Sequence, residues 1–170
     1  MKTSIFISIM LLALFSLTIQ AQSNFVINPD GDKDQAVVNA YMEAMRSKDP
    51  SQLGKQHADN YVGYGPRWES PETKKDMIQH IQSIWERMDN IRHDRIRMLS
   101  VTISGDEVPE FNGNWVFVWG IFVANDKSSG KEISLDIHQI FKVRDGKIIG
   151  AVVYYNELDG MIQTGQYAGS

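Results

Sequence analysis

Residues 140–149 read Ile140-Phe-Lys-Val-Arg-Asp-Gly-Lys-Ile-Ile149, and the Asp145-Gly146 pair at their centre decides the fold. An Asp-Gly pair between apolar stretches is the strongest short-range hairpin signal, because a type I′ turn needs positive φ at both residues. It joins a strand over Glu132–Val143 to one over Lys147–Asn156. With a two-residue turn Arg144 faces Lys147, and an unbroken register sets His138 opposite Val153, Asp136 opposite Tyr155 and Ile140 opposite Ala151. Those six share one face, while Ile137, Gln139, Phe141, Val152 and Tyr154 share the other. Both faces are largely apolar, which fits a sheet covered by helices on one side and by a partner subunit on the other.

Upstream, Trp115–Ala124 forms a strand that ends at the turn-rich Asn125-Asp-Lys-Ser-Ser-Gly130. A turn at Ser129-Gly130 puts Trp119 opposite Ile140 and Ile121 opposite His138, so that Trp115, Phe117 and Trp119 share the His138 face; a one-residue slip turns them away. Ile96, Met98, Val101 and Ile103 belong to an earlier strand, followed by a loop containing Pro109 and Asn112-Gly113. Before that strand the period is helical. Met77, Ile81, Ile84, Trp85 and Met88 lie on one face of a helix with Ser70 as N-cap, Pro71 at the first helical position and Glu72 in the first turn. Tyr61–Tyr64 is extended and closed by Gly65-Pro66, and Ser51–Ala58 is a short helix around Leu53. Val37, Ala40, Tyr41, Ala44 and Met45 form the stripe of a first helix running from Asp34 to the Asp49-Pro50 stop. Three helices followed by an antiparallel meander predict an α+β domain with helices on one face of the sheet.

The chain has 170 residues, 42% hydrophobic and 22% charged, which suits one globular domain. Its net charge of −4 argues against a phosphate-tracking surface, so no nucleic-acid partner is expected. The lack of cysteine excludes a disulfide scaffold, a thiol nucleophile and a zinc finger. Lys2, the apolar run Ile5–Leu17 and Ala21-Gln22 read as a secretory signal peptide over 1–21 cleaved after Ala21. The expected product is exported, periplasmic or secreted, and free of the membrane. The remaining boundaries are a polar leader over 22–33 with the turn signal Asn28-Pro29-Asp30-Gly31, the domain over 34–160, and a flexible tail over 161–170.

The order helix–helix–short strand–helix–four strands resembles the nuclear-transport-factor-two-like superfamily, especially its SnoaL-like branch. The matching stretches are His57-Ala-Asp-Asn-Tyr61-Val, the Trp115–Trp119 strand, the Ile140–Ile149 hairpin and Val153-Tyr-Tyr-Asn156, within roughly residues 33–160. The resemblance implies a curved sheet closing a cone with three N-terminal helices, a pocket inside, and dimers through the outer sheet face. The superfamily includes isomerases, dehydratases, polyketide cyclases, epoxide hydrolases and non-catalytic binders, so the fold does not fix the function.

The face carrying Asp136 and His138 is assigned to the interior, where by resemblance family enzymes place an acidic or histidine group. His138 is then a general acid/base or donor to a carbonyl-bearing ligand, oriented by Asp136 or Tyr155. The alternative is a histidine that only completes a hydrogen-bond network. Isomerases of the superfamily carry a carboxylate base on the short strand, where this chain has Tyr64, a poor base but a good donor. The expected lining is Tyr41, Tyr64, Trp85, Trp115, Trp119, Val153 and Tyr155, together with Asp136 and His138. Asp136-x-His138 lacks a third ligand at convincing spacing, so neither metal nor cofactor is expected. His57 is expected beside Leu53, and His80 and His93 have no evident partner. Three functions remain open: a binder of a small apolar or aromatic molecule, a cyclase, dehydratase or isomerase working by proton transfer, and a dimeric interaction module without catalysis.

Overall fold

A computed structural model describes residues 24–66 and 71–167; the signal-peptide reading over 1–21 and the Ser70 cap fall outside these residues. The chain runs β1 (Asn24–Ile27), α1 (Gly31–Ser47), α2 (Pro50–Gln56), β2 (His57–Tyr64), β3 (Pro71–Thr73) and α3 (Lys74–Arg87). The second half is β4 (Met88–Ser104), β5 (Gly113–Asp126), β6 (Glu132–Arg144), β7 (Lys147–Tyr155) and α4 (Glu157–Thr164), with a single 3-10 turn at Pro109–Phe111. The strands form a seven-stranded sheet in the order β1-β4-β5-β6-β7-β2-β3. Its core is an antiparallel β4–β7 meander, but β2 pairs with β7 in parallel, so the sheet is mixed rather than wholly antiparallel.

Local chemistry accounts for the helix boundaries. Asp49 caps α2 by accepting hydrogen bonds from the Ser51 and Gln52 amides, with Pro50 at the first helical position. Thr73 and Asp76 make a reciprocal capping box at the start of α3. Pro71 and Glu72 therefore sit on β3 ahead of the helix, not inside it as the Ser70-Pro71 pattern suggested. Val38, Tyr41, Met42 and Met45 of α1 and Met77, Ile81 and Trp85 of α3 are buried. They meet Val116, Val118, Leu135, Phe141 and Ala151 of the sheet in one core.

Three sequence expectations are corrected at the edges. The leader is not free: Phe25 to Ile27 pair with Val101 to Ile103 of β4, and α1 starts at Gly31. The tail from 161 is helical as far as Thr164, so there are four helices among the described residues and not three. Asn156 starts that helix by accepting from the Asp159 amide.

The most consequential correction lies inside the β6–β7 hairpin. Asp145 and Gly146 do form the turn, with φ of 51° and 68°. Arg144 faces Lys147 and Val143 faces Ile148, but Lys142 then faces Gly150, leaving Ile149 as an extra residue. This β-bulge shifts the rest of the register by one. His138 lies opposite Tyr154, Gln139 opposite Val153 and Ile137 opposite Tyr155. Val153 and Tyr155 thus join Ile137, Gln139 and Phe141 on the helix-covered face, away from His138. On the other side Trp119 pairs with His138 rather than Ile140; a shift of two preserves parity, so the two share a face as expected.

Candidate binding pocket

Between the concave sheet face, α1, α3 and α4 lies a cavity of about 670 Å³, within the range of small-molecule sites. Ile133, Leu135, Ile137 and Phe141 of β6 form its sheet wall, Met77, Ile81 and Ile84 its α3 wall, and Gly160, Met161 and Thr164 the side closed by α4. Tyr41, His57, Tyr61, His80, His93, Gln139 and Tyr155 are among its polar groups, and Glu72, Glu86, Arg87, Asp126, Lys127 and Glu157 are its charged ones.

Burial keeps two of these groups, His57 and His93, neutral. His57 is enclosed edge-on by the Tyr41 and Tyr61 rings, at 5.6 and 4.8 Å between centroids. Its Nδ1–H donates to the Leu53 carbonyl at 2.8 Å, which assigns the acceptor role to Nε2 in the neutral ring. Desolvation outweighs that bond and lowers the His57 pKa to about 4. His93, set edge-on to Phe122 at 5.8 Å, is likewise lowered to about 4 by burial, against the opposing pull of Asp94. Burial raises the Tyr41, Tyr61 and Tyr155 phenols above their ordinary value, and the negative charge of Glu72 adds to the rise in each. At neutral pH His57 and His93 are therefore neutral and the Tyr41, Tyr61 and Tyr155 phenols keep their protons. Gln139 is buried, with no hydrogen-bond partner for Oε1.

On the rim, His80 Nδ1 and Glu72 Oε1 are 2.9 Å apart, joining α3 to β3. Both side chains retain solvent access and both line the cavity. A carboxylate in this position orients the ring and leaves Nε2 available to a bound molecule.

The SnoaL-like domain pattern matches residues 38–151, two thirds of the chain. The chain belongs to the SnoaL-like domain family. Similar solved structures include a provisionally assigned isomerase from Bacillus subtilis, 18% identical over 80% of this chain and 95% of that one, with a TM-score of 0.64. A protein provisionally described as a SnoaL-like polyketide cyclase from Shewanella denitrificans is 14% identical over 82% and 100%, TM-score 0.61. An epoxide hydrolase-like structure from M. tuberculosis is 15% identical over 81% and 93%, TM-score 0.57. At such identities the likeness is one of fold. No curated protein matches the chain.

The SnoaL-like domain brings Tyr41, Tyr64, Val153 and Tyr155 to the cavity wall. Trp85 is instead a buried brace between helices, its Nε1–H donating to the Met45 carbonyl at 3.0 Å. Asp136, His138, Trp115 and Trp119 lie on the convex face, a correction with two causes. The bulge separates them from Val153 and Tyr155, and the helices cover the opposite face of β6. There His138 stacks between Trp119 and Tyr154, at 5.0 and 6.5 Å, and its Nδ1 bonds the Val118 carbonyl at 3.1 Å. Lys142 sits over the Trp115 ring at 5.1 Å. The sequence reading missed Gln139, His93 and the Glu72–His80 pair as site residues. Gln139 could have been found from Gly150, since a glycine inside a strand pattern signals a bulge. The spacing of eight between Glu72 and His80 does not by itself announce the pair; the two side chains meet because the chain turns from β3 into α3 between them.

Proposed function

We propose that this SnoaL-like chain binds a small, largely apolar molecule inside its cone. The supporting observation is the 670 Å³ cavity itself, with apolar walls and with two imidazoles, His57 and His93, that burial keeps neutral. The part of the lining formed by these desolvated imidazoles and phenols favours a neutral group over a charged one, while Glu72, Glu86, Arg87, Asp126, Lys127 and Glu157 also line the cavity. The mature protein is proposed to be exported after cleavage behind Ala21 and to pair with a second copy through the convex face, where Trp119 (44%) and Tyr154 (53%) are exposed. Native mass spectrometry of protein from its source tests these points together. The expected species is a ligand-bearing dimer beginning at Gln22. A ligand-free species counts against binding, a monomer against pairing, and retention of Met1 against cleavage.

The Glu72–His80 bond supports a second reading, proton transfer at the rim. His57 and His93 are too depressed to accept a proton readily near neutral pH, whereas His80 keeps solvent access and a carboxylate partner. In this reading His80 Nε2 takes a proton from carbon next to a ligand carbonyl and returns it, while buried phenols donate to the developing oxyanion. With 2-tetralone as probe, deuterium uptake at the α-carbon followed by NMR is expected to run about tenfold above buffer, equal to roughly 1.4 kcal/mol of barrier. His80→Asn should remove the acceleration. Equal rates in wild type and variant would discard this reading and leave binding intact.

A further inference from the structure

The wall formed by α4 differs from the rest of the cavity. Strand β7 ends opposite Ile137, so Glu132–Asp136 of β6 extend past it with no strand on that side among the described residues. Gln163 of α4 takes the vacant place with a single side chain. Its Oε1 accepts from the Ser134 amide at 2.8 Å and its Nε2 donates to the Ser134 carbonyl at 2.9 Å. These are the two bonds that a neighbouring peptide would make in a sheet. Asp159, one turn earlier, accepts from the same Nε2 at 2.7 Å and holds the amide in this orientation.

The remaining packing of α4 is thin. Gly160 presents no side chain to Leu135, and Leu158, Met161 and Ile162 stay exposed. Gly160, Met161 and Thr164 nevertheless close the cavity. The Thr164 hydroxyl donates within its own helix to the Gly160 carbonyl at 3.0 Å, so it adds no tie to the sheet. A helix of eight residues is not stable by itself in water. Besides the buried Thr164 and the approach of Gly160 to Leu135, the Gln163 clasp is the hydrogen-bonded tie of α4 to the sheet.

We propose that α4 is a displaceable wall through which the ligand enters and leaves, with Gln163 as its latch on Ser134. This rests on the binding reading above. The latch acts on rate more than on affinity, because the same wall is restored once the ligand is inside.

The absence of native cysteine permits a direct test. Ser134→Cys and Gln163→Cys together, bridged by dibromobimane, pin α4 to β6. Stopped-flow fluorescence with N-phenyl-1-naphthylamine reads association and dissociation separately. Bridging is expected to slow both rates about tenfold with little change in Kd, and Gln163→Ala to quicken both. Gly160→Ala provides a third variant. Its added methyl would lie 3.6 Å from Leu135 and stiffen the helix, so both rates should fall. A bridged protein that exchanges dye at the unbridged rate overturns the latch while leaving the pocket reading intact. Failure of the unmodified protein to take up dye overturns the pocket reading, and the latch with it.

Discussion

Phe141→Ala is expected to destabilise the domain by about 3–5 kcal/mol, the cost of emptying an aromatic site in a packed core. Phe141 is 1% exposed, and its ring lies 5.3 Å from that of Tyr41, where α1 crosses the sheet. Its backbone is locked between Val116 of β5 and Ala151 of β7, so the strands cannot collapse into the space without breaking register. The new void would also join the existing cavity, which helices α1 and α3 already hold open. Urea unfolding should show a lower midpoint at unchanged slope. Thermal unfolding should drop by on the order of 10 °C for a domain of this size. Ile140→Ala, one residue away on the convex face, serves as the control and should cost clearly less. Equal losses at the two positions would mean that the helices do not cover the face assigned to them.

Acid should destabilise the protein steeply between pH 6.5 and pH 4, the interval bounded by the ordinary histidine value and the lowered one in His57 and His93. Both rings are protonated in the unfolded chain below 6.5 but resist protonation in the fold, so the unfolded state binds more protons throughout this interval. Stability is thus complete above 6.5, falls as pH drops, and has lost the whole contribution below about 4. At 1.36 kcal/mol per pH unit, each histidine accounts for about 3 kcal/mol across the interval. The carboxylates of Asp76 and Asp126 are held below the usual range by Thr73 and by Ser129 and Ser128 respectively, so they lose their contribution at lower pH. Asp34, raised by burial, works in the opposite direction and softens the slope slightly. Unfolding free energies measured at intervals across the range should show the slope, and His57→Leu should remove about half of it even though it also removes the bond to Leu53. An unchanged slope in that variant would remove His57 from the account.

The local signals in the chain were legible where one residue sets one dihedral or one face. Asp145-Gly146 announced its turn because the two residues tolerate the positive φ they adopt. Tyr41, Ala44 and Met45 announced α1 because their spacing closes one helical stripe, and all three are buried. Parity beyond the turn was not legible, because the extra residue at Ile149 answers to partners on both flanks of β7. Gly150 lies within 3.3 Å of the Val62 carbonyl at the position where a Cβ would stand, a constraint imposed by β2 from far along the sequence. Hydropathy within β6 did distinguish its faces, because Ile133, Leu135, Ile137, Phe141 and Val143 alternate with Glu132, Ser134, Asp136, His138 and Lys142. The interior was expected on the other side because the resemblance placed His138 there, beside Phe117 and Trp119 of β5. Phe25-Val-Ile27 failed to read as a strand because its only pairing is with β4, more than seventy residues on. Asn156 did carry a readable N-cap, with Glu157 and Asp159 in the first turn of α4.

The parallel pairing of β2 with β7 also sets an order of assembly. His57 pairs with Ile148 and Tyr64 with Val152, so the inner edge of β2 has no partner until nearly the whole chain has been made. Closing so long a loop costs entropy before any contact rewards it, and topologies rich in such pairings fold slowly. The meander β4–β7 is built from sequential neighbours and forms first in that scheme, as an open curved sheet. The first helices and β2 then dock onto a surface that already exists. The cavity is accordingly the last part of the molecule to come into being, because a nascent chain lacking β7 also lacks the Ala151, Val153 and Tyr155 part of its wall.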